Sequence, residues 1–380
     1  MEKKKILLFV DWYEPGYKAG GPIRSCVNFT RYMRRDYRVY VFTTDRDLGS
    51  DSSYEGIRTD AWVSPEEGVE IFYCSPQQLS GRQIRAQIAR IAPDYIYLNS
   101  MFSKYFTLVP LLAGWGRPPR YKIILSPRGM LKDSALQFKP AKKKIYLHLF
   151  HWMRFDRLIH FLAADATERT DIRRHFGKET RVEEIPNLPG ALPDYPGAAE
   201  KKSGELSMIF VGRLHPIKNL DYLLKILRSI PVTLSLSIIG SIEDKLYWQQ
   251  CQEIIKALPA NITVQYLGEM ANHQLPAIIS RHHIFALPTR GENFGHAIFE
   301  ALSLGKPVLV SDQTPWRNLE EAGAGWDVSL DEPAAFERSI LQAAGWGQET
   351  YSIWSRAAFD LARKHIDNTN ALEKYRKLFS

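Results

Sequence analysis

The chain has 380 residues, 45% hydrophobic and 24% charged, with 24 glycines and 22 prolines spread along it. That length exceeds the size at which single cores stop growing, so two domains are expected, and the composition excludes a disordered or fibrous protein. A net charge of +8 suits an anionic ligand or an anionic membrane surface, whereas no nucleic-acid-binding motif occurs.

Cys26, Cys74 and Cys251 are far apart and odd in number, which favours neither a disulfide framework nor a metal site and fits a reducing cytoplasm. At the start, Lys3-Lys4-Lys5 precedes the apolar run Ile6 to Val10. Five apolar residues are too few for a signal peptide, so the run is expected to be a first buried strand. No apolar run approaches the ~20 residues that span a bilayer.

Short apolar runs then alternate with helical stretches: Val39 to Thr43, Val69 to Tyr73, Tyr95 to Leu98, Lys122 to Leu125, Leu158 to Leu162 and Val182 to Ile185. This repetition predicts a mainly parallel sheet covered on both faces. After the first strand, Gly20-Gly21 precedes Pro22 at a plausible first helical position. A glycine pair there lets backbone approach a phosphate at a helix N-terminus, and an ordinary turn is an equal reading. Ser126-Pro127-Arg128-Gly129 follows a strand, so Arg128 is expected at the carboxyl edge of the sheet, either against a phosphate or carboxylate or in water.

The segment Lys139 to Met153 carries lysines at its start and Tyr146, Leu149, Phe150, Trp152 and Met153 after them. Such a basic amphipathic helix can lie on an anionic leaflet; the alternative is an aromatic face in the core with the lysines in water. Prolines and glycines between Ile185 and Gly197 place the domain boundary near residue 190.

Beyond the boundary the pattern restarts, with strands expected at Met208 to Val211, Leu234 to Ile239, Ile262 to Tyr266, His283 to Leu287 and Pro307 to Val310. After Trp326 the chain is expected to be helical to its end, with the last helix a candidate brace that returns to the first domain. Arg213 and Lys218 occupy the first loop of this half, where a fork and a point charge beside a helix N-terminus suit a diphosphate. A second loop carries Glu292, Asn293, Phe294, Gly295 and His296 and opens a helix that carries Glu300. If that stretch were helical throughout, the two carboxylates would lie roughly 12 Å apart along the axis, with anion-binding amides between them. Taken alone, the pair also fits a helix with an acidic first turn and one solvated glutamate.

Three segments together resemble the retaining glycosyltransferases of family 4, the two-domain GT-B class, over nearly the whole chain: Phe210 through Asn219, Pro288 through Glu300, and Ala301 through Val308. The resemblance implies an α/β fold of two Rossmann-like domains with parallel sheets facing a central cleft. Residues 1–190, joined by a C-terminal helix over 366–380, would form the acceptor-side domain, and 191–365 the nucleotide-sugar domain. It further implies that Arg213 and Lys218 hold the donor diphosphate, that Glu292 binds donor sugar hydroxyls, and that Glu300 binds the ribose. The amides of Phe294 to His296 would meet the phosphates, with Asn293 and Gly295 in the same loop, and Gly20 and Gly21 would match the family's N-terminal glycine loop. Arg128 occupies or adjoins a position where many members place a histidine on the donor.

The activity implied is transfer of a hexose-type sugar from a nucleoside-diphosphate sugar to a glycan or lipid-linked acceptor in bacterial cell-surface polysaccharide synthesis. No metal or other cofactor is expected, and the setting is cytoplasmic, at the inner face of the plasma membrane. Two rivals remain: a nucleotide-sugar 2-epimerase of the same fold, and a non-catalytic nucleotide- or glycan-binding scaffold.

Overall fold

A computed structural model describes residues 3–114, 120–137, 140–368 and 370–380. Side chains at 134 and 368 lie outside the description, as do Lys139 and Thr369 entirely. The chain divides into two compact units, Met1–Leu188 with Asn370–Ser380, and Pro189–Thr369. Both are parallel-sheet α/β units.

The first unit holds β1 (Lys5–Phe9), β2 (Arg38–Thr44), β3 (Trp62–Glu66), β4 (Val69–Cys74), β5 (Tyr95–Leu98), β6 (Lys122–Leu125), β7 (Ile159–Ala163) and β8 (Val182–Glu184). Their order is β3-β4-β2-β1-β5-β6-β7-β8. The central strands are near-continuous apolar runs because helices cover both faces; Ile6 to Phe9 are fully buried, for example. One strand escaped the sequence pattern. β3 pairs antiparallel with β4 at the sheet edge, half exposed and containing Pro65, a residue that edge strands tolerate and central strands do not.

The second unit holds β9 (Glu205–Val211), β10 (Thr233–Ile239), β11 (Ile262–Tyr266), β12 (Ile284–Leu287), β13 (Val308–Ser311) and β14 (Gly325–Val328). All pair in parallel, in the order β11-β10-β9-β12-β13-β14. The direction of strand addition reverses between β9 and β12, so the loops leaving these two neighbours bound the topological switch point, where open α/β sheets take ligands. The expectation of helix from Trp326 onward is corrected by β14. Its first residue, Gly325, has φ 142°, and a Cβ there would lie 2.0 Å from the Val308 carbonyl oxygen. A strand only four residues long, led by glycine, carries little periodic signal.

The proline-rich stretch after Leu188 is irregular but anchored to the second unit. Tyr195 hydrogen-bonds Ser355 through their hydroxyls at 2.9 Å, and the Lys201 amide donates to Gln348 at 2.7 Å. The long helix Gln348–Asn368 continues through residues 366–368, so the chain leaves the second unit later than the sequence suggests. The helix Ala371–Leu378 then joins the first unit, where Tyr375 and Phe379 are buried in its core. Tyr37 donates to the Phe379 carbonyl at 3.0 Å, and Lys122 donates to that of Leu378 at 2.8 Å.

Candidate functional site

The loop after β9 is shaped by close backbone packing. Gly240, at the end of β10, has φ 150°, and a Cβ on it would sit 1.9 Å from the Gly212 carbonyl oxygen. A short 3-10 turn follows at Pro216–Lys218, with the His215 ring accepting from the Ile217 amide at 3.2 Å. Asn219 then adopts a left-handed conformation, φ 58°, and starts the helix Leu220–Leu227. Its buried side chain accepts from Arg290 Nε at 3.2 Å.

Arg290 stands at the start of the loop after β12, so this contact ties the two loops together. Two further bonds reinforce it, both to the Ile217 carbonyl: the Arg290 amide at 2.7 Å and the Thr289 hydroxyl at 3.0 Å. The chemically active groups meet on this frame. Lys218 Nζ and Glu292 Oε1 form an ion pair, with their side chains 16% and 14% exposed. Arg213 pairs instead with Glu243 at 2.6 Å, each side chain 37% exposed. An exposed pair of that kind is worth about 0–1 kcal/mol, so an incoming anion can exchange for Glu243 at small cost.

The segment around Glu292 is not helical throughout, which corrects the assumption behind the ~12 Å axial spacing. Residues through Gly295 form an irregular loop, held by the Glu292 amide donating to the Gln313 carbonyl at 3.1 Å. The helix proper is His296–Ser303, eight residues long, with no side-chain cap and no acid in its first turn. Gly295 precedes it with φ 75°, and a Cβ would approach Ile298 Cδ1 to 2.8 Å. Phe294 is buried, and its carbonyl accepts from Trp316 Nε1 at 2.7 Å. The His365 ring packs on Phe294 and Trp316, with centroids 5.6 and 4.7 Å away. Burial lowers the pKa of His365. Asn293 lies in the same loop, and Glu300, partly buried, lies on the helix.

Sequence reasoning gave no role to Arg290, Glu243, Trp316 or His365. The first stands three residues beyond the expected strand end at Leu287 and was legible as a loop cation. The other three act through packing or pairing across long sequence separations, for which a single sequence carries no signal.

Gly20, Gly21 and Arg128 belong to the first unit. Gly20 has φ 66° with open space where a Cβ would stand, and Gly21 begins the helix Gly21–Met33, which lacks a side-chain cap. The preceding loop is pinned by Asp47, whose carboxylate accepts from the amides of Tyr17 at 2.8 Å and Lys18 at 3.1 Å. Arg128 departs from the reading of a side chain left in water. Its guanidinium donates to Asn99 at 2.9 Å, to the Tyr97 hydroxyl at 2.9 Å and to Asn187, so all three nitrogens engage protein oxygens. Arg128 thus ties together the strand ends of β5, β6 and β8. Beside it, Glu168 accepts from the amides of Gly129 and Ala164 at 2.6 and 2.7 Å, while burial raises its pKa.

Two α/β units of parallel strands, the second with a basic loop and an acidic loop joined at its switch point, define the GT-B class of fold. Solved structures agree. The Anabaena protein HepE, in complex with UDP and glucose, superposes with a TM-score of 0.71 at 18% identity, covering 99% of each chain. Residues 193–358, most of the second unit, match the family described as "Glycosyl transferases group 1", and the chain is a glycosyltransferase. Among relatives, an "uncharacterized 41.2 kDa protein in cps region" of Klebsiella pneumoniae is 28% identical over 279 residues, 66% of this chain and 72% of that protein. The O-antigen chain mannosyltransferase B of Escherichia coli is 30% identical over 143 residues, 36% of each chain.

Proposed function

We propose that this glycosyltransferase moves a hexose-type sugar from a nucleoside-diphosphate sugar to a hydroxyl of a glycan or lipid-linked acceptor, with retention of anomeric configuration, as in family 4. The setting we propose is bacterial cell-surface polysaccharide synthesis, at the cytoplasmic face of the plasma membrane. The E. coli relative named as an O-antigen mannosyltransferase and the Klebsiella relative named for a cps region support that setting. The HepE structure, bound to UDP and glucose, supports the class of donor.

The observation that carries the reading is the Lys218–Glu292 contact at the switch point. In a nucleotide sugar the phosphate and the sugar hydroxyls flank one anomeric carbon. An ammonium for the phosphate and a carboxylate for hydroxyls, side by side, therefore fit the two sides of the bond that breaks. As the anomeric C–O bond opens, negative charge grows on the leaving phosphate. Lys218, Arg213 and the first-turn amides of His296–Ser303 answer it by preorganised electrostatics, with no metal required. The acceptor oxygen bonds to the anomeric carbon on the same face, and its proton passes to the departing phosphate oxygen, so no protein base is needed. Glu300 is assigned to the ribose hydroxyls and Glu292 to the sugar.

The test is release of nucleoside diphosphate from a panel of donors, with and without glycan acceptors. Lys218→Ala and Arg213→Ala should each lower turnover by about 10²–10³ while the melting curve stays native-like. Near-normal turnover in either variant would remove the site assignment. An isomerised sugar in place of released diphosphate would replace transfer with epimerisation.

A further inference from the structure

The helix Pro140–Trp152 lies outside the candidate site and contains three lysines and no acid. Only Phe150 on it is fully buried, against Phe155 and Phe176. Ile145, Leu149 and Trp152 are instead 62%, 52% and 75% exposed. Their spacing of four and then three residues puts all three on one stripe of the helix, opposite Phe150. Elsewhere in the described chain no helix carries more than one large exposed apolar residue, Leu112, Leu246, Leu341 and Ile353 each lying on a different one, and a lone one needs no explanation. Three in a row on one helix do. Exposed Lys142 and His148 flank the stripe on its two sides, with Lys144 beyond His148. On the Lys144 side a groove of about 800 Å³ opens, lined by Leu136, Pro140, Leu147, Lys143, His151 and His175 among others.

We propose that this face docks onto a bilayer containing anionic phospholipid. Ile145, Leu149 and Trp152 enter the acyl boundary, and Lys142 and Lys144 meet lipid phosphates. The helix lies in the interface plane, as its 13 residues with one apolar stripe require; no described helix is long and apolar enough to cross a membrane. Charge decides against a second copy of the chain, because two such faces would set lysines against lysines, whereas an anionic leaflet complements them. A tryptophan at the end of the stripe suits the headgroup level, where its ring is half apolar and its N–H stays wet.

The inference gives the proposed transferase its membrane contact, yet its test needs neither donor nor turnover, so failure of one leaves the other standing. Full-length protein is mixed with vesicles of phosphatidylcholine alone or of phosphatidylcholine with phosphatidylglycerol, and the pelleted fraction is measured. Binding is expected to the anionic vesicles and to fall as salt rises. Lys142→Ala with Lys144→Ala should weaken it by about 25-fold, at about fivefold per lysine. Leu149→Ser with Trp152→Ser should abolish it, with the melting temperature and diphosphate release onto a soluble acceptor unchanged. Equal pelleting with neutral vesicles, or full binding by the serine variant, would overturn the proposal. So would a dimer in solution that the serine variant breaks to a monomer while the wild type ignores vesicles.

Discussion

Gly240 shows how one residue sets the site. It is held at φ 150° against the carbonyl of Gly212, one residue before Arg213, so the backbone of the β9 loop can take its path only where no Cβ intervenes. Gly240→Ala should cost about 3 kcal/mol or more, because the obstructing atom is backbone and the conformation is strained for any L side chain. Chemical unfolding of the second unit measures this; a loss under ~1 kcal/mol would mean that the loop can shift, and the geometry of Arg213 and Lys218 with it. Neither the constraint nor its reason was visible in the sequence, where Gly240 is an ordinary glycine after a strand. Lys218 and Glu292 were legible for the opposite reason. Each lies in a loop directly after a strand, and parallel strands send such loops to one sheet edge whatever the details of packing. Their direct contact was not legible, since it depends on β9 and β12 being neighbours in the sheet although β10 and β11 stand between them in the chain. Arg128 marks the limit of residue-by-residue inference: its edge position was readable, but its direction was set by Tyr97, Asn99 and Asn187, contributed by other segments.

Among elements, the helix Ala371–Leu378 has the largest effect for its size. Alone it is too short to be stable, and its stability comes from packing. Tyr375 and Phe379 meet Phe29, and Phe379 also meets Tyr37, Tyr95 and Tyr97 at centroid distances of 6.3, 5.3 and 5.9 Å. Arg376 pairs with Asp36 at 2.7 Å on the surface, a contact of small weight beside the aromatic one. Phe379→Ala should therefore destabilise the first unit by about 3 kcal/mol, while Arg376→Ala should cost less than ~1 kcal/mol. Urea unfolding followed by a probe in the first unit separates them; similar losses would show that the helix is held by charge and not by its rings. The long central strands were readable as apolar runs because burial on both faces leaves such runs, whereas β3 and β14 were not. β3 is an exposed edge containing a proline, and β14 has only four residues, so tertiary pairing makes each a strand where local sequence does not.

Across the whole molecule, the chain passes between the units twice, after Leu188 and again at residues 369–370. The first unit is encoded mostly before residue 189, yet its core is closed by residues 370–380, so it cannot complete its packing until those residues have been made. The second unit is continuous and carries Arg213, Lys218, Glu292, the helix His296–Ser303 and Glu300 within one core. On the proposed reading, the diphosphate contacts of Arg213 and Lys218 and the closure of the chain fall in different units, which makes the responses of the two units to a ligand separable. A nucleoside diphosphate that binds the folded second unit at a hundred times its Kd should stabilise it by about 2.7 kcal/mol, because only the native state holds the site. For a unit of this length that is a rise of roughly 5–10 °C in the transition that reports it. Calorimetry on the full chain should show that rise with a diphosphate and lose most of it in Lys218→Ala, whose missing ammonium leaves phosphate charge uncompensated. The Phe379→Ala protein should keep most of the rise even as its first unit melts earlier, since the contacts proposed for Arg213, Lys218 and the helix His296–Ser303 lie in the second unit, away from the returning helix. A shift that survived Lys218→Ala, or vanished with Phe379→Ala, would move the nucleotide away from the switch point between β9 and β12.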